Sequence, residues 1–175
     1  MRGTFANIRI RNEMVPGTEG GFTKLYPEEK VMPIYDAVVE YKKRGTDLIV
    51  IGGKEYGTGS SRDWAAKGTK LLGVKVVIAE SFERIHRSNL IGMGILPLQF
   101  IENVNRKNLN LKGSELISIE KIEEGLNPSD KVTIEIKYVS GEIKRIKTLC
   151  RIDTNNELEY YKNGGILQYV LRNMI

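Results

Sequence analysis

The residues of this chain best suited to chemistry form a glycine-rich string, Gly57-Thr58-Gly59-Ser60-Ser61-Arg62-Asp63. Its glycines permit a tight turn and a close approach of the backbone to a ligand. The guanidinium of Arg62 has the planar fork that matches a carboxylate. If the string opens a helix, the unpaired N–H groups of the first turn also favour negative charge. The string therefore predicts an anion-binding site, but it does not specify the anion.

Two familiar phosphate-binding patterns do not fit this string. No Gly-Lys-Ser/Thr sequence closes it, as a P-loop requires, and Arg62 stands where a dinucleotide-binding loop has its third glycine. A purely structural interpretation is also open for the string taken alone. In that interpretation Ser60 only caps a helix and Arg62 forms a surface ion pair.

The elements around the string alternate between strand and helix. This alternation implies parallel pairing with right-handed crossovers, and open sheets of that kind bind ligands at the carboxyl ends of their strands. The first apolar run is continuous and ends in glycines, which predicts a strand buried on both faces. The predicted elements are strand 47–53, helix 60–72, strand 74–79, helix 81–90 and strand 95–100.

Local patterns give more detail on the two helices. Trp64, one turn into the first, is expected to pack against the sheet. Ser81 is expected to cap the second helix, on which Phe82, Ile85 and Asn89 would share one face.

The rest of the chain adds a helix and an antiparallel unit. Residues 34–44 show helical periodicity, and residues 132–138 alternate as a half-exposed strand does. A turn at 140–141 leads into a second strand over 143–152. The predicted fold class is therefore α/β, with a short parallel βαβαβ core, an antiparallel hairpin appendage and a C-terminal helix. The apolar positions of that last helix are Leu167, Val170, Leu171 and Met174.

Composition limits the remaining possibilities. The length of 175 residues fits one domain, and 41% hydrophobic with 28% charged residues is typical of a folded chain. No run of eighteen apolar residues predicts a membrane-spanning helix, and the first residues lack the layout of a secretory signal. The single cysteine, Cys150, favours a reducing compartment, so we expect the cytoplasm.

One Cys and one His cannot build a zinc site or an iron–sulfur cluster from this chain alone. The net charge of +5 is compatible with a nucleic acid or with an acidic small molecule. No RNA-recognition motif or zinc finger is present, so charge alone does not make the chain a nucleic-acid-binding protein.

Four sequence blocks, in order from residue 2 to the last residues, resemble the C-terminal swivel domain of the aconitase family. The resemblance is closest to the branch of aconitase A and the iron-regulatory proteins. The blocks are RGTFANIR (2–9), GGKEYGTGSSRDWAAKG (52–68), FERIHRSNL (82–90) and EYYKNGGIL (159–167).

This resemblance implies a hydro-lyase that interconverts citrate and isocitrate through cis-aconitate. By position in the motifs, Ser60 would be the catalytic base, and Arg2, Ser61 and Arg62 would bind substrate. A [4Fe–4S] cluster would be ligated by upstream domains that this chain lacks. Residues 1–175 would form one swivelling β/β/α domain that partners those domains and is inactive without them.

Two alternatives remain open at this point. The chain could be an RNA-binding module of an iron-regulatory-type protein, although such relatives use surfaces of several domains. It could also be the small subunit of an isopropylmalate or homoaconitate dehydratase, which shares the swivel fold. His86 is expected to have a structural role or to contact the missing domains.

Overall fold

A computed structural model describes residues 10–59, 63–120, 122 and 125–174 of the chain. The strands of the described part are β1 Phe22–Leu25, β2 Lys30–Pro33, β3 Leu48–Ile51, β4 Val74–Ala79, β5 Leu96–Phe100, β6 Leu116–Ile119, β7 Lys131–Lys137 and β8 Ile143–Cys150. The helices are α1 Ile34–Lys43, α2 Trp64–Leu71, α3 Arg84–Gly92, α4 Asn155–Lys162 and α5 Ile166–Asn173.

Six strands form one mixed sheet in the order β3-β4-β5-β8-β7-β6. The pairs β3–β4 and β4–β5 are parallel, which confirms the predicted βαβαβ core. The antiparallel hairpin is also confirmed, but it is not a separate unit. Strand β8 pairs with β5 through Leu98 and Cys150, so the hairpin extends the same sheet.

The prediction that the first strand is buried on both faces is wrong. All four residues of β3 are half-buried, because among the described residues β3 lies at one end of the sheet and has β4 as its single neighbour. Strand β4, one position inward, has Val77, Ile78 and Ala79 fully buried. An apolar run of this kind does not tell an edge strand from a central one.

The alternating pattern of the second half of the sheet is confirmed. Val132, Ile134 and Ile136 of β7 are buried and belong to the main core cluster. Cys150 at the end of β8 is fully buried in the same cluster. The hairpin turn contains Gly141 with a φ of +87°, and its N–H donates to the carbonyl of Tyr138.

The C-terminal region contains two helices where one was predicted. Helix α4 begins at the Thr154 cap, whose hydroxyl accepts from the N–H of Glu157, and α5 follows as predicted. A buried ion pair attaches this region to the core: Arg87 of α3 donates to both carboxylate oxygens of Glu157, at 3.0 and 2.9 Å. In the described part of the chain no helix is long and apolar enough to cross a membrane.

Candidate functional site

The four residues that the sequence predicts to act on a substrate, Arg2, Ser60, Ser61 and Arg62, lie outside the described residues. The structure does describe both segments that flank residues 60–62. These are the loop 52–59, which follows β3, and Asp63 with α2, which come after.

Backbone hydrogen bonds clamp the loop 52–59 to the segment that follows β4. The N–H of Tyr56 donates to the carbonyl of Ser81 at 2.9 Å, and the N–H of Glu83 donates to the carbonyl of Tyr56 at 3.0 Å. The hydroxyl of Ser81 accepts from the N–H of Glu55 at 2.7 Å. The loop thus lies at the carboxyl ends of β3 and β4, where parallel sheets bind ligands.

The expected role of Ser81 as a helix cap is wrong, because its hydroxyl is used by the loop. Helix α3 begins at Arg84, and Glu83 caps it by accepting from the N–H groups of Ile85 at 3.0 Å and His86 at 2.7 Å. A carboxylate caps well at this position because it also meets the positive end of the helix dipole.

The side chain of Tyr56 fills the space beneath the loop. Its ring meets Phe82 and His86 edge-on, with centroids 6.1 and 5.4 Å apart. A Cβ atom at Gly52 would lie 2.6 Å from the ring of Tyr56, so glycine is required at position 52 for this packing. Burial in this cluster raises the pKa of Tyr56 to about 12. The tyrosine is therefore a neutral packing residue of the loop.

The turn at Gly57 rests directly on His86. Gly57 has a φ of +100°, and a Cβ atom there would overlap Cβ and Cγ of His86. The imidazole is 3% exposed, and its Nδ1 has no hydrogen-bond partner among the described residues. Burial lowers its pKa, although the nearby Glu83 carboxylate acts in the opposite direction, so the ring is neutral at pH 7. His86 therefore supports the loop as a packing residue, in line with the structural role expected for it.

Replacing Gly57 by alanine is expected to destabilise the chain by about 2–5 kcal/mol. The unfavourable positive φ costs about 1–2 kcal/mol, and forcing a methyl group against His86 adds about 1–3 kcal/mol. The matched control is Gly141→Ala, because Gly141 has a similar φ of +87° but open space around it. Urea unfolding should give a clearly larger loss for Gly57→Ala; equal losses would contradict the contact with His86.

Helix α2 begins differently from α3. Its N-cap residue, Asp63, makes no side-chain hydrogen bond, and the first turn carries no acidic residue. Trp64 is exposed at this helix start, with the Lys67 ammonium 5.1 Å from the centroid of its ring. The expected packing of Trp64 on the sheet is therefore wrong. In the described part of the helix start, the backbone donors are not used by a carboxylate of the chain.

The residues on either side of 60–62 face solvent. Thr58, Gly59 and Asp63 are all exposed. The described residues next to this end of α2 therefore lie at the surface and not in the core. The start of a helix is a favourable place for an anion.

The model of the aconitase C-terminal domain family matches residues 1–103. The chain belongs to this family. Aconitate hydratase A of Legionella pneumophila is 69% identical over 172 residues, which cover 98% of this chain and 19% of that protein. Aconitate hydratase A of Escherichia coli is 61% identical over 175 residues, which cover 100% of this chain and 20% of that protein. This aconitase C-terminal domain thus spans about a fifth of the length of the curated relatives it matches.

Among solved structures, the 3-isopropylmalate dehydratase of Methanocaldococcus jannaschii matches with a TM-score of 0.46 and 20% identity. The match covers 85% of this aconitase C-terminal domain and 83% of that chain.

Sequence reasoning missed the supports of the site. The contact between Gly57 and His86 joins residues 29 positions apart in the chain, whereas the Glu83 cap joins residues only two and three positions apart. Glutamate is not among the residues preferred as N-caps, so the sequence contained no clear signal that Glu83 caps α3. Nothing in the sequence indicated that Gly57 faces an imidazole.

Proposed function

We propose that this chain is the substrate-binding and catalytic-base domain of an aconitate hydratase, a hydro-lyase that interconverts citrate and isocitrate through cis-aconitate. The observation that carries the proposal is the match along the whole chain to proteins named aconitate hydratase A. It supports this function over an RNA-binding module or a dehydratase small subunit. In this proposal residues 1–175 are one domain of a longer, cytoplasmic enzyme and are inactive alone.

In this function Ser60 removes a proton from the carbon next to a substrate carboxylate. Ser61, Arg62 and Arg2 bind the carboxylates of citrate, isocitrate and cis-aconitate. The proposal is supported by the exposed residues on either side of 60–62 and by the start of α2, where Asp63 makes no side-chain capping hydrogen bond. It is also supported by the clamped loop 52–59, since a general base must be held in a defined place.

The family implies a [4Fe–4S] cluster in the full enzyme, which supplies a Lewis acid for the substrate hydroxyl. The residues of this chain do not fit the role of cluster ligands. Its one cysteine, Cys150, is fully buried in the core, and burial raises the pKa of the thiol. A cluster needs several accessible thiolates. We therefore assign the cluster to the other domains of the enzyme.

A chimera tests this function. The chain would replace the matching fifth of the Legionella pneumophila aconitate hydratase A, and the product would be reconstituted with its cluster. We expect hydration of cis-aconitate, followed by its ultraviolet absorbance, at a rate within about tenfold of the parent enzyme, because 69% identity conserves most contacts. The free chain should be inactive. A folded, cluster-loaded chimera without activity would contradict the proposal.

A further inference from the structure

Helix α5 exposes its apolar face, whereas a helix that covers its own domain normally buries that face. Five apolar residues lie on one side of it and are between 39% and 78% exposed. None of the eight residues of the helix is buried. We call these five residues the α5 stripe: Ile166, Leu167, Val170, Leu171 and Met174.

The polar side of α5 is the side that contacts the rest of the domain. The ring of Tyr169 meets Tyr160 of α4 edge-on, with centroids 5.1 Å apart. The guanidinium of Arg172 donates to the carbonyl and to the side-chain oxygen of Asn163, at 2.7 and 2.8 Å. Amphipathic surface helices normally bury the apolar side, whereas the described residues leave much of the α5 stripe uncovered.

The start of α5 is firmly attached. The Lys70 ammonium donates to the carbonyl of Gly164, which precedes the helix. The backbone at Gly164 also lies very close to Gly94, since a Cβ atom at residue 94 would be 2.6 Å from the carbonyl oxygen of Gly164. At Gly165 a Cβ atom would lie 2.9 Å from the carbonyl oxygen of Gly92. The α5 stripe is therefore presented by a fixed helix rather than by a loose end.

We infer that the α5 stripe is a docking surface for the part of an aconitate hydratase that lies outside this chain. This inference rests on the proposed function. The similarity to the Escherichia coli relative runs through all 175 residues, and therefore through α5, but the matched segment is only 20% of that protein. The remaining four-fifths of such an enzyme provide the apolar surface that the stripe requires.

The size of the stripe argues against a second copy of this chain as the occupant. A helix of eight residues is about 12 Å long and about 10 Å wide, so its footprint is on the order of 100 Å². A stable dimer needs about 800 Å² from each partner. A stripe this small is sufficient for docking when both surfaces belong to one polypeptide, because the effective concentration of one surface at the other is then in the millimolar range.

The charge of α5 argues against a membrane surface. Helices that lie on membranes carry several Lys or Arg residues on the polar face. The polar face of α5 carries one, Arg172, and Asn163 already occupies its guanidinium.

The test compares α5 in the free chain and in the chimera with the Legionella pneumophila enzyme. Amide hydrogen exchange over 166–173 and peroxide oxidation of Met174 should each be at least about tenfold slower in the chimera, because docking covers the stripe. Leu167→Ser combined with Leu171→Ser should restore the free-chain rates. Leu116→Ser with Val139→Ser is the matched control, since these apolar residues are also 66% and 81% exposed, and it should leave the protection unchanged.

The outcomes separate this inference from the proposed function. An active chimera with unprotected α5 would overturn the docking surface alone, and a protected α5 in an inactive chimera would overturn the function alone. If the free chain formed a dimer that Leu167→Ser combined with Leu171→Ser converted to a monomer, a second copy of the chain would be the partner of the α5 stripe, and the partner that we infer would be wrong. Binding of the free chain to phosphatidylglycerol vesicles through the stripe would also show that the partner that we infer is wrong.

Discussion

In the active chimera, Ser60→Ala is expected to lower the turnover of isocitrate by roughly 10²–10⁴-fold, the usual contribution of a positioned base. Substrate binding should stay nearly unchanged, because this variant retains Arg2 and Arg62, the arginines that we propose bind the substrate carboxylates. Steady-state kinetics would measure the turnover, and isothermal titration with citrate would measure the binding. A variant with parental turnover would contradict the assignment of Ser60.

The physical reason lies in the acidity of serine. A free hydroxyl group is far too weak an acid to serve as a base at neutral pH, so its alkoxide needs strong local stabilisation. A helix start without its own carboxylate cap and a neighbouring guanidinium can supply that stabilisation. The first turn of α2 carries no acidic residue, and Asp63 makes no side-chain cap.

Arg62→Lys is the companion to this variant. It keeps the positive charge but removes the two-pronged fork, so it should mainly raise KM and affect kcat less. The expected pattern is therefore opposite in the two variants: kcat falls for Ser60→Ala, and KM rises for Arg62→Lys. The same pattern in both would show that they merely disturb the loop.

Replacing Arg87 by methionine is expected to destabilise the chain by about 3 kcal/mol. The Glu157 carboxylate would keep its place, with a side chain only 16% exposed, but it would lose its cation. Arg87 also donates to the carbonyl of Arg151 at 2.7 Å, so the attachment of α4 to α3 would weaken as well. Urea unfolding at pH 7 measures the loss.

The pH dependence of this loss identifies its cause. Burial raises the pKa of Glu157, but the hydrogen bonds from Arg87 and from the N–H of Asp153 outweigh it, so the pKa lies below its ordinary value of 4.5. A lowered carboxyl pKa stabilises the fold above pH 4.5 and loses this effect as the pH falls through the folded-state value. The difference between wild type and Arg87→Met should therefore be full at pH 7 and shrink below pH 4.5.

Arg145→Met is the matched control for Arg87→Met. Arg87 pairs with the carboxylates of Glu157 and Asp153. Arg145 likewise pairs with two carboxylates, those of Glu135 and Glu120, but its side chain is exposed. Exposed ion pairs contribute little to the free energy of unfolding, so Arg145→Met should have a stability close to that of the wild type. If both arginine variants lost equal stability, burial of the Arg87–Glu157 pair would not be the cause.

The sequence alone predicted most elements because their signals are local. The alternation of Val132, Ile134 and Ile136 identified β7, and helical periodicity identified α1 and α5. The family followed from motifs that stay contiguous in the chain, and the family match confirmed it. The assignment of Ser60, Ser61, Arg62 and Arg2 to the substrate remains a prediction.

What the tertiary structure decided was the environment of those elements. The apolar runs of β3 and β4 are similar in sequence. In the strand order of the described residues, however, β3 lies at the edge of the sheet and β4 lies inside it. The ring of Trp64, which we expected to pack on the sheet, is exposed, and so is the apolar face of α5. Periodicity indicates which residues share a face of an element. It does not indicate what that face contacts, because the contacting residues come from a distant part of the fold or, as we propose for α5, from outside this chain.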